Sequence, residues 1–430
     1  MLVWANLMIE FIDMTLAFCV ALGFALGIIS GLTPGLHLNN FASMLLAISP
    51  QLILLGLTPF QMASIILAAS ISQTFFDAIP AIFLGAPDSE TALSVLPGQR
   101  LMLEGRGIEA VRLSALGSAG SIAFALLLVY PLSWIISSYY DYLTKYVGVL
   151  LLAISLMMIK SERGPWIEGQ GSLVHWKYKL IAGMLFLTSG VLGIFAFEHE
   201  DLLYSPLDLE PQVLLPLLSG IFGASSLILS LTTKVQIPKQ VESKIKMPGP
   251  TIAKAVLSGG LGGSLLAWSP GGSPSVASIA ARLGSPGTAE EFLVSIAGVN
   301  SANALFSLVA LYVIDRPRSG AAAAIQQLLT LDQNIMAQMM IMAVIVVLAS
   351  YLATIAAAQL AARSISSLNY PRLCIIVLVF LLAMTYAFTG IFGLFIFFLS
   401  TIVGLIAPVA GIHRNHAMGV LMLPLIVMYI

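Results

Sequence analysis

Long apolar runs separated by short polar stretches make up most of this sequence, and they constrain its fold more than any single motif does. About 17 to 25 apolar residues form one helical crossing of a bilayer. The chain of 430 residues is 59% hydrophobic and only 9% charged, whereas soluble domains typically carry about 25% charged residues. The sequence therefore predicts an all-α polytopic membrane protein that crosses the cell membrane several times. The net charge of −1 gives no reason to expect nucleic acid as a partner.

The apolar segments recur along the whole chain. They lie near residues 14–30, 37–57, 60–83, 111–132, 146–160, 179–197, 211–232, 252–268, 271–283, 290–314, 335–362, 372–388, 390–410 and 415–430. The segments that flank Pro34 and Pro270 can form hairpins that enter and leave the membrane on the same side.

The distribution of Lys and Arg indicates an orientation. The loops at 160–179 and 234–254 are rich in Lys and Arg, whereas the acidic loop at 198–210 has neither. Because cytoplasmic loops of membrane proteins carry an excess of basic residues, we expect the two basic loops inside and the acidic loop outside.

The stretch GLTPGLHLNN, residues 31–40, interrupts an apolar run with residues that break helices. Pro34 lacks a backbone donor and disfavours helical geometry at Thr33, and Gly35 permits conformations that other residues resist. Inside a bilayer such a break is tolerated only where it is buried in protein or lines an aqueous cavity. It is therefore a candidate binding site of the kind that secondary transporters build from broken helices.

The second half of the chain contains a counterpart of this stretch. Aligning Pro34 with Pro270, an offset of 236 residues, also places Gly27 on Gly263. The predicted orientation makes the first break start outside and the second start inside. We therefore expect two inverted-topology repeats, each with a broken or re-entrant helix hairpin. Two proline kinks in ordinary packing helices are the alternative.

This repeat also gives the predicted organisation of the chain. A first transmembrane repeat covers residues 1–160, connecting transmembrane helices and cytoplasmic loops cover 161–250, and a second transmembrane repeat covers 251–430.

Each break is expected to leave the backbone N–H groups of a new helix directed into a cavity. Such groups, with the positive end of the helix dipole, bind anions, which matters because no Lys or Arg precedes Arg100. His37 can hydrogen-bond an oxyanion or carry a proton, or it can cap the helix or bond a backbone carbonyl. The predicted substrate-binding residues are Thr33, Pro34, Gly35, His37, Asn39, Asn40, Ser269, Pro270, Gly271, Gly272, Ser273, Asn300 and Asn303.

Asp77 is the acid that most strongly indicates function, because it lies inside an apolar segment, three residues before Pro80. An ionisable group at membrane depth is a functional hypothesis by default. Together with Thr74 on the same helix, we expect Asp77 to bind Na+ or take up a proton and so couple transport to a cation gradient. The alternative is that the segment ends early and leaves Asp77 at the membrane interface.

Asn300 and Asn303 share one face of a helix predicted over 290–314. Buried amides need hydrogen-bond partners. These two can meet the second break, or they can join two helices, which is the commoner use of Asn in membrane helices.

Motifs for catalysis are absent from the sequence: there is no phosphate-binding Gly-Lys-Ser/Thr loop, metal-binding His and Glu cluster, or Ser, His and Asp set. We therefore expect no enzymatic activity and no cofactor except bound Na+. The leading hypothesis is a secondary active permease for a small organic anion, a carboxylate. A translocase of a phosphorylated lipid carrier is the alternative, because helix ends that bind carboxylates also bind phosphates.

Four stretches of the sequence resemble the TctA-like permeases, the large membrane subunit of tripartite tricarboxylate transporters. They are GIISGLTPGLHLNN, FFDAIPAIFLGAPDSETALSVLPGQRLMLEGRG, GGSLLAWSPGGSPS and TGIFGLFIFFLSTIVGLIAPVAGIHRNHAMGVLMLP. The last stretch is similar to the shorter archaeal branch of that family.

The resemblance implies a permease of two inverted halves that holds a carboxylate at its broken helices and is driven by a cation gradient. It also implies an extracytoplasmic binding protein and a small membrane subunit as partners, as in the bacterial systems. A permease of the archaeal branch that acts alone on a different substrate is the alternative. A homodimer is a common arrangement for permeases of this size.

Overall fold

The computed structural model describes residues 14–33, 42, 45–46, 49, 51–85, 95–162, 172–207, 211, 213–232, 238–242, 245–268, 288–365 and 370–429. Within these ranges the regular secondary structure is entirely helical. The all-α prediction is confirmed. The predicted segment 271–283 lies outside the described residues, as does most of 37–50.

The helices are numbered here in chain order. They are α1 (Met14–Leu32), α2 (Pro59–Phe76), α3 (Ala78–Phe83), α4 (Val95–Leu103), α5 (Gly107–Thr144), α6 (Val147–Lys160), α7 (Ser172–Glu198), α8 (Leu214–Leu218), α9 (Ser225–Thr232), α10 (Gly249–Leu266), α11 (Ala289–Ile314), α12 (Gly320–Leu328), α13 (Gln333–Ile365), α14 (Tyr370–Ala410) and α15 (Gly419–Tyr429). A π-helix (Ser219–Ala224) joins α8 to α9, and 3₁₀ turns occupy Glu200–Leu202 and Arg414–Met418.

Eight stretches of the described chain are long and apolar enough to cross a membrane, which confirms the multi-pass prediction. They are α1, α2 with α3, α5, α7, α8 through α9, α11, α13 and α14. The α2–α3 stretch is buried over 100% of its most apolar window and α11 over 94%, compared with 22% for α5. Helices α2 and α11 are therefore the two most enclosed of the eight.

The buried apolar side chains of the described residues form two hydrophobic cores. The first is built largely from α1, α2, α5, α11 and α13. The second is built largely from α6, α7, the α8 to α9 region, α14 and α15. Any polar group inside either core has to find its partners within the protein.

Helices α1 and α2 pack in the same direction through glycines four residues apart. Gly23, Gly27 and Gly31 lie against the backbone carbonyls of residues 65, 69 and 73, a constant separation of 42 positions. A constant separation means that the helices are parallel. Because glycine has no side chain, the two backbones can approach closely, as in other membrane helix pairs.

Helices α10 and α11 repeat this arrangement in the second half. Gly259 and Gly263 lie against the carbonyls of residues 295 and 299, a constant separation of 36 positions. These two glycines correspond to Gly23 and Gly27 at the offset of 236 residues identified in the sequence. In each half, the two helices of the pair therefore begin on the same side of the molecule. The inverted relation of the two halves stays a prediction.

Helix α14 consists of two helical segments that meet at Gly390, where the backbone is not helical, so the predicted division into 372–388 and 390–410 agrees with the structure. Gly390 has a φ of 68°, in the left-handed region that favours glycine. The ring of Tyr204 packs where a Cβ would lie. The kink is therefore set by backbone conformation and close packing together.

Candidate functional site

Helices α2 and α11 are joined by a hydrogen bond between Asp77 and Asn300. Asn300 Nδ2 donates to Asp77 Oδ2 over 3.0 Å, and the two residues are 2% and 4% exposed respectively. The helical segment continues past Asp77 to Phe83. Asp77 therefore lies at the junction of α2 and α3, and Asn300 joins two helices.

Further hydrogen bonds surround this contact. Ser301 Oγ donates to Thr74 Oγ1 over 2.8 Å, and Thr74 in turn donates to the carbonyl of Ile71 over 2.9 Å. Ser30 of α1 donates to Gln73 Oε1 over 2.9 Å. Three helices thus contribute to one buried group of polar side chains, which we call the polar cluster. Its members are Ser30, Gln73, Thr74, Asp77, Asn300 and Ser301.

The amide oxygen of Asn300 is the least satisfied atom of the polar cluster. It is buried, and no hydrogen-bond partner for it is found among the described residues. A buried acceptor without a partner costs about 1–3 kcal/mol, so its presence beside a carboxylate requires an explanation. The neighbouring Asn303, one turn further along α11, is also buried. An unpaired oxygen next to a carboxylate is an arrangement suited to a cation.

The ends of α1 and α10, which precede the two predicted breaks, pack against α2 and α11. A Cβ on Gly31 would lie 3.1 Å from the backbone nitrogen of Asp77, and Thr33 follows two residues later. At the end of α10, Trp268 packs edge-on against Phe306 of α11, with ring centroids 6.2 Å apart. The chain therefore enters the first break beside the polar cluster and the second break against the helix that carries Asn300.

Most residues of the predicted breaks lie outside the described residues. Of the predicted site, the structure describes Thr33, Thr74, Asp77, Asn300 and Asn303, and it brings Thr74, Asp77 and Asn300 together. The predicted site residues outside the described ranges are Pro34, Gly35, His37, Asn39, Asn40, Ser269, Pro270, Gly271, Gly272 and Ser273.

The composition of the polar cluster limits the ions it can hold. Within the described ranges, no group of three or more His, Cys, Asp or Glu residues is arranged to hold a metal ion. The cluster instead combines the single carboxylate of Asp77 with neutral amide and hydroxyl oxygens. Oxygen ligands suit hard cations, and one negative charge balances a monovalent cation or a proton.

Sequence reasoning missed two members of the polar cluster. Ser30 and Ser301 contribute hydroxyl groups from α1 and α11. Serine is common in membrane helices and its hydroxyl often bonds a carbonyl of the preceding turn, so the sequence alone offered little reason to select them. The position of Ser301 directly after Asn300 was the available signal.

A second buried group of ionisable residues was also not predicted. Glu162, 1% exposed, accepts a hydrogen bond at Oε2 from the backbone nitrogen of His413 over 3.0 Å. The same oxygen is hydrogen-bonded to His413 Nδ1 at 2.9 Å and to His416 Nε2 at 2.8 Å. Arg414, between the two histidines, is 7% exposed. The available signal was the sequence HRNH within an otherwise apolar segment.

Comparison with known proteins agrees with the resemblance seen in the sequence. The model of the tripartite tricarboxylate transporter TctA family matches residues 17–419. An uncharacterized protein of the archaeon Methanocaldococcus jannaschii is 26% identical over 424 residues, which cover 95% of this chain and 98% of that protein. No solved structure matches the chain. The family match extends over nearly the whole chain, so the protein belongs to the tripartite tricarboxylate transporter TctA family and functions in transport across a membrane.

Proposed function

We propose that this protein is a secondary active permease for a small organic anion, a carboxylate, coupled to Na+ or H+ by alternating access. The observation that carries the proposal is the buried hydrogen bond between Asp77 and Asn300, which joins the two most enclosed membrane spans. Ionisable residues at this depth mark ion pathways and proton relays. A cation that binds at Asp77 can therefore link the energy of a gradient to the movement of the substrate.

The polar cluster offers a role for either cation. For Na+, Asp77 supplies the negative charge and Asn300 Oδ1 supplies an oxygen that has no other partner in the described part of the chain. The Thr74 hydroxyl already accepts from Ser301 and donates to a carbonyl, so Thr74 orients Ser301. For H+, a protonated Asp77 becomes a donor, and a rotated Asn300 amide presents Oδ1 to it.

Binding of Na+ and protonation of Asp77 would each change the contact between Asp77 and Asn300. Because this contact joins α2 to α11, cation binding alters a link between the two halves of the chain. Thr74 of α2 pairs with Ser301 of α11, and Asp77 pairs with Asn300. Residue numbers thus increase along α2 while those of their partners decrease along α11. This reversal supports the proposed inverted relation of the two halves. A ligand that changes such a contact can bias the protein toward one of two conformations.

The proposed carboxylate site is formed by the two Pro-Gly segments. Thr33 leads into the first segment and Trp268 into the second, and both lie at the ends of helices that pack on α2 or α11. Backbone N–H groups at the start of a helix bind carboxylates without a basic side chain. The residues proposed to bind substrate are Thr33, Pro34, Gly35, His37, Asn39, Asn40, Ser269, Pro270, Gly271, Gly272, Ser273, Asn300 and Asn303.

The family relationship supports two protein partners. TctA-family proteins are the large membrane subunits of transporters that also contain a binding protein and a small membrane subunit. We expect an extracytoplasmic binding protein and a small membrane subunit to work with this chain. Affinity purification of the tagged protein from its native membranes, followed by mass spectrometry, tests for both.

Uptake into proteoliposomes tests the proposed function directly. Radiolabelled citrate and succinate are offered with a Na+ gradient, with a pH gradient, or with neither. We expect accumulation of at least one carboxylate only when a gradient is present. Equal flux with and without a gradient would remove the proposed coupling. Movement of a phosphorylated polyprenyl lipid between leaflets, without uptake of either carboxylate, would favour a lipid translocase instead.

The variant Asp77→Asn tests the assignment of the cation site. We expect it to abolish gradient-driven accumulation while the protein still folds, because Asn nearly matches Asp in shape but carries no charge. Ser64→Ala is the matched control, since Ser64 is also buried in α2 but donates only to the carbonyl of Phe60. Wild-type accumulation by the Asp77→Asn variant would remove the assignment.

A further inference from the structure

A buried arginine lies outside the polar cluster, just beyond the end of α14. Arg414 begins the 3₁₀ turn Arg414–Met418. Its Nη1 donates to Ser225 Oγ over 3.3 Å and to Ser226 Oγ over 2.5 Å. Burial lowers the pKa of Arg414 to about 10. This value is still well above neutral pH, so the guanidinium is charged under physiological conditions.

The two serines neutralise none of this charge. The hydroxyl hydrogens of Ser225 and Ser226 are directed to the carbonyls of Ile221 and Phe222. Each serine oxygen therefore acts toward Arg414 only as an acceptor. The serines satisfy the hydrogen-bonding capacity of one guanidinium nitrogen, but they supply no negative charge.

The acceptors of Arg414 are held by a π-helix. Ile221 and Phe222 belong to the π-helix Ser219–Ala224, a conformation that is rare and frequently found at functional sites. This π-helix lies directly against α14, because a Cβ on Gly404 would overlap the carbonyl of Ile221. The serines and the chain that carries Arg414 are thus fixed relative to one another.

The buried carboxylate of Glu162, which contacts the histidines on either side of Arg414, does not neutralise the guanidinium. Glu162 bonds to His413 and His416, and no ion pair formed by the described residues includes Arg414. Among the described residues, the Nε and Nη2 atoms of Arg414 have no hydrogen-bond partner, and neither atom is fully enclosed. A buried charge is costly unless a counter-charge and hydrogen bonds compensate it.

The unpaired edge of the guanidinium has the geometry of an oxyanion-binding group. Nε and Nη2 direct two N–H groups to the same side, which matches the two oxygens of a carboxylate or phosphate. We infer that Arg414 binds an oxyanion, a carboxylate or a phosphate, through its Nε and Nη2 atoms.

This site is separate from the polar cluster. Neighbours of Arg414 such as Ala417 pack in the second hydrophobic core, whereas Asp77 is flanked by residues of the first.

This oxyanion can come from two sources, namely a free anion in solution or the phosphate of a lipid headgroup. The test measures the thermal unfolding midpoint of the full-length protein purified in detergent. Citrate, inorganic phosphate and micelles containing phosphatidylglycerol are each compared with sodium chloride at equal ionic strength. Stabilisation by citrate or phosphate indicates a free anion, and stabilisation by phosphatidylglycerol alone indicates a lipid headgroup.

The variant Arg414→Gln should weaken the apparent affinity for the stabilising additive at least about tenfold, because hydrogen bonds between two charged groups are lost. Arg363→Gln is the matched control, because Arg363 is an exposed arginine at the end of α13. Arg414→Lys provides a second variant that keeps the charge but not the paired N–H groups, and we expect about tenfold weaker apparent affinity, or 1.4 kcal/mol.

Two results would overturn the inference. One is a wild-type protein that none of the three additives stabilises. The other is an equal response in wild type and in whichever Arg414 variant folds. The response should persist in Asp77→Asn, so a failure of the proposed cation coupling and a failure of the Arg414 site give different results.

Discussion

The side-chain amide of Asn300 donates a hydrogen bond to the carboxylate of Asp77 over 3.0 Å, although 223 residues separate them in the chain. The contact lies between α2 and α11, and Asn300 Oδ1 is buried without a partner among the residues that the structure describes. One residue thus orients the carboxylate with its nitrogen and offers an oxygen to a cation.

Asn300→Ala is expected to weaken the binding of the coupling cation. Hydrogen bonds to charged groups contribute about 1.5–3 kcal/mol, which corresponds to roughly a tenfold to hundredfold higher cation concentration for half-maximal uptake. The measurement is the dependence of proteoliposome uptake on Na+ concentration and pH. Ser307→Ala is the control, because Ser307 is buried in α11 but bonds only the carbonyl of Asn303. An unchanged cation dependence would contradict the role of Asn300.

Gly27→Ala and Gly263→Ala are expected to destabilise the protein by about 1–3 kcal/mol each, the usual cost of overpacking. A Cβ on either glycine would overlap a backbone carbonyl of the neighbouring helix, and backbone cannot move aside as a flexible side chain can. Gly183→Ala is the control, since the nearest atom to its Cβ would lie 4.0 Å away. Thermal unfolding in detergent measures the difference. Equal midpoints for the three variants would show that the glycine contacts do not hold these helix pairs together.

Arg106→Gln is expected to destabilise the protein by about 3 kcal/mol, because removing one partner of a buried pair leaves the other charge uncompensated. Arg106 bonds both oxygens of Glu109, at 2.9 and 3.0 Å, and Glu109 is 0% exposed. Arg106 also bonds Glu290 over 3.1 Å, so it connects α5 to α11.

The exposed Arg100 provides the control for this prediction. Arg100→Gln should change stability by less than about 0.5 kcal/mol, since its side chain is 73% exposed and pairs with Glu104 at the surface.

The pH dependence of the Arg106 effect has a definite sign. The hydrogen bonds that Arg106 donates to the Glu109 carboxylate raise the pKa of Arg106 above its ordinary value. A base whose folded-state pKa is raised contributes stability that is fully present below its unfolded pKa, about 12.5 for Arg. The loss caused by Arg106→Gln should therefore be the same at pH 6 and pH 9, as chemical denaturation at both values can measure.

Glu162→Ala is expected to cost about 2–4 kcal/mol, because it leaves the buried His416 without its hydrogen-bond partner. Glu162→Gln keeps an oxygen acceptor and should cost less. His413→Ala is the control for the exposed side of the contact, as the His413 side chain is 70% exposed. If Glu162→Ala melts at the wild-type temperature, Glu162 does not hold the segment that follows α14.

Several features could be predicted from the sequence because they depend on short stretches of chain. The apolar runs specify membrane helices, and α11 over Ala289–Ile314 matches the predicted segment 290–314 closely. Asp77 was identified by its position inside an apolar run. Gly27 and Gly263 were aligned by sequence, and both prove to be sites of close helix contact.

Other features depend on which helix lies beside which, and the sequence carries no direct signal for that. Hydropathy and periodicity report the environment of a residue within one helix, so they selected Asp77 and Asn300 separately but did not pair them. The contribution of Ser30 to the polar cluster and the unpaired edge of Arg414 are of the same kind.

The sequence by itself determined the class of the protein, its membrane location and the residues that are unusual within an apolar helix, because burial in a bilayer acts on each segment separately. Only the tertiary structure decided how those residues combine. It set Asp77 against Asn300, Glu162 against two histidines, and Arg414 against hydroxyl groups that supply no charge. The reason is physical: partners far apart in the chain are chosen by helix packing, and their charges balance only once that packing is in place.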